Sequence, residues 1–287
     1  MADVEIATVP VSLNYYQPPA DGSKPWVRAG SDLDPKAPPT NFSYEEKQVI
    51  IENIRGHESE YDLDSSGFLF YKHESEFKNF EDETAIQDVY YKESIKLIKK
   101  VTGANRVVLF DHTVRKHRPG LVNGTDGVLR GPATRVHVDQ TPKGAINRVH
   151  RHTSEELAPL LLKHRFQIVN LWRPINHPAF DYPLALCDYR SVDWEKDLVP
   201  AEFRYPDRVG EAFYVNYNSQ HKWKYQRGMR PDEVIFVKCF DSRDDGKTAI
   251  LTPHTAFADP TSPKDALPRE SIELRALVFY DDLPNDA

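Results

Sequence analysis

The hydrophobic pattern along most of the chain is that of short β-strands separated by turns. In the strand predicted from Ile272 to Tyr280, polar residues at 271, 273 and 275 alternate with apolar residues at 272, 274, 276 and 278, which is the period of a strand. Turn-forming pairs interrupt the pattern, as at Asn123-Gly124 and Asp126-Gly127. Other short apolar runs lie at 68–71, 106–110, 165–172, 182–187, 212–217, 222–225 and 233–238. This pattern predicts a mainly β fold with flanking helices, either a sandwich or a double-sheet jelly roll.

Two stretches instead favour helices. Apolar residues recur at helical spacing after Asp82, acidic residues fill the first turn, and Gly103 is the predicted stop. Thr153 and Glu156 form a capping-box pattern, which predicts a second helix through Leu162. Between 212–217 and 222–225, the residues 218–220 are predicted to be a turn that joins two strands.

The first part of the chain is rich in proline, which removes backbone donors and restricts the preceding residue. Residues 1–45 are therefore predicted to be an extended arm, pinned to the body by Leu13, Tyr15 and Tyr16. No linker divides the rest. Residues 46–287 are predicted to be one double-stranded β-helix domain with helical insertions.

Composition narrows the range of partners. The 287 residues carry a net charge of −7 and no strongly basic run, which disfavours nucleic acid and anionic membranes. No apolar run approaches the roughly 20 residues needed to span a bilayer, and Met1–Glu5 lacks a signal-peptide core. The only cysteines, Cys187 and Cys239, favour a reducing compartment. The sequence predicts a cytoplasmic protein with a small-molecule substrate, and it does not predict the oligomeric state.

The chemistry centres on Arg135–Thr141, where His137 and Asp139 are separated by one residue. On a strand both side chains would project from the same face. An imidazole and a carboxylate are two of the three ligands of the 2-His-1-carboxylate site of non-haem Fe(II) enzymes. His254 is the predicted third ligand. The tripeptide alone is also consistent with a strand histidine beside a surface aspartate.

Two arginines near the C-terminus support the metal interpretation. Arg269 and Arg275 are six residues apart, an even number, so they would share a face of a regular strand. A guanidinium binds a carboxylate bidentately, as a site for 2-oxoglutarate requires. The alternative for Arg275 is a structural ion pair with Glu273 or another acid.

Several segments in order resemble the fungal specialised-metabolite hydroxylase/desaturase family, which includes gibberellin desaturase and is related to the small component of the cephamycin 7α-methoxylation system. The resemblance covers roughly residues 60–280, and its segments are 135–141, 170–174, 183–188, 223–225, 238–242, 253–257 and 268–275. It implies a double-stranded β-helix (jelly-roll) fold and a dioxygenase that uses Fe(II), 2-oxoglutarate and O2. Hydroxylation, desaturation and oxidative cyclisation are all reactions of such a family.

The resemblance also implies roles for particular residues. Iron would be held by His137, Asp139 and His254. Arg275 is the first choice for the 2-oxoglutarate carboxylate, and Arg269 the second choice or an anchor for a substrate carboxylate. Asn170 is assigned to the cofactor site, and Trp172, Trp223 and Tyr225 to the substrate pocket. His150 and His152 are also separated by one residue, but they precede the predicted helix in a polar segment without a nearby carboxylate at matching spacing, so they are interpreted as solvated or capping residues rather than metal ligands.

Besides a plain β-sandwich binding module in which the motif match is accidental, two other functions stay open. One is a non-catalytic partner subunit of a tailoring methyltransferase or hydroxylase, which would bind no Fe(II). The other is a cupin-like metal enzyme with the same triad, whose turnover would continue without 2-oxoglutarate.

Overall fold

A computed structural model describes residues 7–30, 37–120 and 130–283. The predicted turns at 123–127 and the acidic stretch 1–5 lie outside the described residues. Within those ranges fourteen strands occur. They are β1 (Thr8–Gln17), β2 (Trp26–Arg28), β3 (Ser43–Asn53), β4 (Phe68–Lys72), β5 (Arg106–Lys116), β6 (His137–Val138), β7 (Phe166–Pro174), β8 (Leu184–Cys187), β9 (Leu198–Arg204), β10 (Val209–Val215), β11 (Trp223–Tyr225), β12 (Glu233–Asp241), β13 (His254–Ala256) and β14 (Glu270–Phe279).

The strands form two sheets that share one interior. Nine strands make one sheet in the order β1-β3-β11-β8-β13-β6-β10-β9-β2, and five make the other in the order β4-β12-β7-β14-β5. Leu186 of the large sheet packs in the same core cluster as Ile168, Ile235 and Leu277 of the small sheet. The predicted mainly β architecture of two facing sheets is therefore confirmed.

Helices lie outside the sheets and are short. They are α1 (Glu83–Ala85), α2 (Tyr91–Thr102), α3 (Pro142–His152), α4 (Ala158–Leu161) and α5 (Trp194–Asp197), with a π-helical turn at Ile86–Tyr90 and 3₁₀ turns at Glu58–Glu60 and Tyr189–Ser191. The helix predicted from Asp82 is confirmed. Asp82 accepts a hydrogen bond from the Ala85 amide, and Gly103 ends α2 in the left-handed conformation.

The second helix was predicted to start at the wrong residue. Thr153 does not open a helix but ends α3, and its amide donates to the Val149 carbonyl. The cap of α3 is instead Thr141, whose hydroxyl accepts from the Gly144 amide at 3.0 Å. Pro142 occupies the first turn, where its missing amide costs nothing. This cap-and-proline pattern begins two residues after Asp139.

Part of the predicted N-terminal arm is a strand of the large sheet. β1 pairs along its whole length with β3, and the predicted boundary after residue 45 falls within β3. Leu13, Tyr15 and Tyr16, the residues expected to pin the arm, are all buried.

The predicted hairpin between β10 and β11 does not form. β10 pairs with β6 and β9, whereas β11 pairs with β3 and β8. The residues between them therefore cross the sheet rather than turn back along it. No helix in the described ranges is long and apolar enough to cross a bilayer.

Candidate metal centre

The predicted triad comes together on the inner face of the large sheet. β6 carries His137 and is followed at once by Asp139, while β13 begins with His254, the direct cross-strand partner of His137. One ligand atom from each of the three residues lies within 4.8 Å of the others, and the two imidazole centroids are 4.5 Å apart. Two neighbouring strands therefore place three donors around one point.

The backbone sets the orientation of both histidine rings. Nδ1 of His137 lies 2.7 Å from the Arg135 carbonyl oxygen, and Nδ1 of His254 lies 3.0 Å from the Thr252 carbonyl oxygen. A carbonyl only accepts, so each Nδ1 carries the proton and donates. Each Nε2 is left with a free lone pair, which is the arrangement of a metal-bound histidine. Burial, and then the neighbouring His137, lower the pKa of His254 and favour the neutral ligand form.

Two side chains from the small sheet hold the Asp139 carboxylate. Its Oδ2 accepts from Arg275 Nε at 3.1 Å and from Asn170 Nδ2 at 2.7 Å, while its Oδ1 lies 3.4 Å from His137 Nε2. Burial alone would raise the pKa of Asp139, but Arg275 and His137 outweigh it and hold that pKa well below its usual range. The residue is thus an anion with Oδ1 directed toward the two imidazoles. Two neutral imidazoles and one carboxylate fit the facial triad of non-haem Fe(II).

Arg275 therefore has a different environment from the one expected for a 2-oxoglutarate ligand. Its guanidinium contacts three carboxylates, those of Asp139, Asp111 at 3.0 Å and Glu273 at 3.0 Å. The structural ion pair weighed as the alternative is the arrangement observed. Asn170, also assigned to the cofactor, bridges Asp139 and Glu273 with the same amide nitrogen.

The environment of Arg269 is suited to binding a carboxylate group. It is buried, and among the described residues its Nε has no hydrogen-bond partner and no carboxylate lies within ion-pair distance. Ser271, two residues along, also has a buried hydroxyl with no partner in the described part of the chain. Burial, and then the nearby Arg115, lower the pKa of Arg269 to about 9. A buried cation without an anion and a buried hydroxyl without a partner are each costly, and a bound carboxylate could pair with both.

A strained loop residue positions the Arg269 guanidinium. Nη1 donates to the Tyr182 carbonyl at 2.6 Å, and Tyr182 has a φ of 45°, which a non-glycine residue rarely adopts. The Arg269 amide donates to Asp181, and the guanidinium lies 5.7 Å from the Trp172 ring centroid. Ser271 and Asp181 were not singled out from the sequence as candidates. The available signal for Ser271 was its spacing, two residues after Arg269 at the start of β14.

A cavity of about 900 Å³ adjoins the triad and is lined by His137, Asp139 and Arg275. Trp223 and Tyr225, predicted to close over a substrate, do not line it. Trp223 pairs directly with Cys187, and both belong to the core on the opposite face of the sheet from Leu186 and His254. Side chains alternate along a strand, so Tyr225 has the same outward direction as Trp223. Trp172 does face the interior, but it is buried beside Arg269.

Comparison with known proteins gives full-length matches. A family profile described as an oxidoreductase/YMDC permease-like domain matches residues 13–279. The hydroxylase/desaturase efuI of Hormonema carpetanum is 35% identical over 98% of this chain and 98% of its own length. The Fe(II)/2-oxoglutarate-dependent dioxygenase nvfI of Aspergillus novofumigatus is 35% identical over 83% of this chain and 85% of its own length.

A solved structure matches equally fully. The iron and alpha-ketoglutarate-dependent endoperoxidase NvfI is 31% identical and superposes with a TM-score of 0.84, over 95% of this chain and 98% of that one. This likeness confirms the predicted jelly-roll arrangement of the two sheets.

Proposed function

We infer that this chain, which belongs to the family of fungal hydroxylase/desaturases and Fe(II)/2-oxoglutarate-dependent dioxygenases, is an Fe(II)/2-oxoglutarate-dependent oxidoreductase. The expected metal and co-substrates, Fe(II), 2-oxoglutarate and O2, follow from the same relatives and from the fit of the triad. The relation to the cephamycin 7α-methoxylation component is not tested by these matches and stays a prediction.

The observation that carries the proposal is the orientation of the triad. His137 and His254 present Nε2 lone pairs, and Asp139 presents Oδ1, because backbone carbonyls, Arg275 and Asn170 hold their other polar atoms. These three residues would hold Fe(II) there. When bound there with 2-oxoglutarate and O2, Fe(II) supplies the oxidising power to remove hydrogen from an unactivated C–H bond as 2-oxoglutarate becomes succinate and carbon dioxide.

Arg269 and Ser271 are the proposed binding site for the far carboxylate of 2-oxoglutarate. The buried Nε of Arg269 and the buried hydroxyl of Ser271 are donors without partners among the described residues, and a carboxylate would accept from both. Arg275, which was the first choice from sequence, is proposed instead to position Asp139. Its three ion pairs leave it committed to the protein's own acids.

The cavity beside the triad is the proposed substrate site. Its volume of about 900 Å³ suits a small organic molecule of specialised metabolism, and its walls hold that molecule beside His137 and Asp139. Hydroxylation, desaturation and oxidative cyclisation all begin with the same removal of hydrogen, so the substrate's pose selects among them. We keep the cytoplasmic location as a proposal, supported by two buried cysteines that are both free thiols.

The test is anaerobic titration of the purified protein with Fe(II) and then 2-oxoglutarate, with detection of the metal-to-ligand charge-transfer absorption band. The expected result is a band that saturates at one equivalent of Fe(II) and is lost in His254→Ala. A matched control is His164→Ala, which removes a histidine that lies outside the triad and is 3.7 Å from Asp282. That variant should form the band as the wild type does.

The two other functions make different predictions in the same experiment. A chain that binds no Fe(II) would be the non-catalytic partner subunit. A chain that binds Fe(II), forms no band and turns over substrate without releasing succinate would be the cupin-like enzyme. Either result would overturn the proposal.

A further inference from the structure

The cavity beside the triad carries an excess of positive charge. Seven arginines but only three carboxylates line it among the described residues. This contrasts with the chain as a whole, whose net charge is −7. The local excess is therefore a property of the site rather than of the composition.

Contacts with the protein already engage all three carboxylates. Asp139 and Asp111 both accept from Arg275. Glu211 accepts from the Thr141 hydroxyl at 2.9 Å and lies 3.6 Å from Lys24. Since the three acids that line the cavity are already engaged, none of them neutralises the remaining arginines of the cavity wall.

Arg148 and Arg151 are two of these cations, and they lie one turn apart on the same face of α3. Within the described ranges, no carboxylate lies within 4.0 Å of either guanidinium. Arg148 is half-buried, and its guanidinium carbon lies 5.1 Å from the Phe110 ring centroid. Burial, and then Arg151 and Arg275, lower the pKa of Arg148. Desolvation and repulsion thus destabilise the Arg148 cation, and a bound anion would relieve both, with the exposed Arg151 one turn away as a second partner for it.

The position of α3 relative to the metal centre is set by close packing. The helix starts at Pro142, three residues after Asp139, and its cap Thr141 also donates to Glu211 of β10. A Cβ added at Gly144 would lie 3.0 Å from the Glu211 carbonyl oxygen, so only glycine permits this approach without a shift. Arg148 is about 9 Å along the helix axis from Pro142, at about 1.5 Å per residue. The backbone of α3 at both arginines is therefore held at a fixed distance from the triad.

The rest of the wall is partly apolar. Phe203, Tyr205 and Tyr214 line the cavity together with Ala212 and Pro132. Such a surface fits a hydrocarbon body, whereas a polyanion such as nucleic acid would leave it unused.

We propose, on the basis of the proposed function, that the natural substrate is an apolar molecule bearing a carboxylate, and that Arg148 and Arg151 bind this group while the apolar body lies against the aromatic wall. The two arginines are specificity-determining residues in this scheme. They select acids over esters or neutral analogues, and they fix which carbon lies beside the metal.

The experiment uses the Fe(II)- and 2-oxoglutarate-loaded protein under anaerobic conditions, with 1-pyrenebutyrate and its methyl ester as matched probes. Binding is followed by pyrene fluorescence, and the charge-transfer band is recorded in the same samples. The acid should bind at least tenfold more tightly than the ester. The double variant Arg148→Gln/Arg151→Gln should lose that preference and leave ester binding unchanged.

The control is Lys143→Gln, which removes one cation from the same helix at a side chain that is 74% exposed. It should keep the acid preference. Equal binding of acid and ester, failure of both to bind, an unchanged preference in the double variant, or displacement of 2-oxoglutarate by the acid would each overturn the proposal. Because the band is recorded first, failure of the proposed function appears as a missing band. Failure of the carboxylate proposal alone leaves the band intact.

Discussion

Replacement of Arg275, in the last strand, and of Arg269, just before it, should have opposite consequences. In Arg269→Gln, the Nε donor and the positive charge next to Ser271 are lost, while the triad is untouched. A hydrogen bond to a charged group contributes about 1.5–3 kcal/mol, and about 1.4 kcal/mol corresponds to a factor of ten. The dissociation constant for 2-oxoglutarate should therefore rise about 10- to 150-fold. The affinity for Fe(II) should change less than about twofold.

Arg275→Lys should show the reverse pattern. A lysine retains the charge but has no fork with which to contact Asp139, Asp111 and Glu273 together. Residues that orient a metal ligand typically affect metal affinity by about 10- to 100-fold when replaced. Fe(II) affinity should fall by such a factor. At saturating Fe(II), the 2-oxoglutarate dissociation constant should stay near that of the wild type.

The assay is the two-stage anaerobic titration, with Fe(II) varied first and 2-oxoglutarate second, and circular dichroism establishes that each variant is folded. Arg269→Lys is the graded control, since it keeps the charge but not the bidentate geometry, and it should fall between wild type and Arg269→Gln. The reasoning is refuted if Arg269→Gln binds 2-oxoglutarate like the wild type while Arg275→Lys loses it and retains Fe(II). That outcome would restore Arg275 as the cofactor ligand.

Two further predictions concern stability. Burial, and then two neighbouring arginines, lower the pKa of His152 to about 4. Between about pH 6.5 and pH 4 the imidazole is therefore protonated in the unfolded state but neutral in the folded state. The folded state loses stability as the pH falls through this range. Because the ring is only partly buried, we expect the free energy of unfolding to fall by about 1 kcal/mol. Urea unfolding at pH 7 and pH 4.5 measures this loss, and His152→Gln should abolish it. Equal pH dependence in the wild type and the variant would contradict the prediction. Tyr15→Phe removes the hydroxyl that accepts from Trp223 at 2.8 Å and lies 3.1 Å from His221 Nδ1. It should cost about 1–3 kcal/mol in thermal or urea unfolding without altering the charge-transfer band, and an unchanged stability would show that β1 is held by other contacts.

The sequence predicted the elements with strong local periodicity. The alternation in β14 and the helical spacing before Gly103 depend on neighbours within one element, so they are readable without a fold. Thr153 was predicted at the wrong end of a helix because its capping-box pattern competes with an earlier and better cap at Thr141. Thr141 followed by Pro142 starts α3 first, and the helix is already complete when it reaches Thr153.

The substrate residues illustrate a second kind of limit. Aromatic side chains at 223 and 225 are equally consistent with a pocket wall and with a core. Which of the two they form depends on the register between β11 and β8, where Trp223 lies opposite Cys187 and so points away from His254. A shift of one residue would have reversed every side chain of that strand.

The sequence by itself predicted His137, Asp139 and His254 as the metal ligands, because the His-x-Asp spacing occurs together with several other segments that resemble one enzyme family in the same order. Only the tertiary structure distinguished the surroundings of Arg269 and Arg275, on which their proposed roles rest. The two arginines are six residues apart near the start of β14, so local sequence treats them alike. Their surroundings differ because the fold brings Asp111 and Asp139 to Arg275, whereas Arg269 is buried with only a carbonyl acceptor for its guanidinium among the described residues.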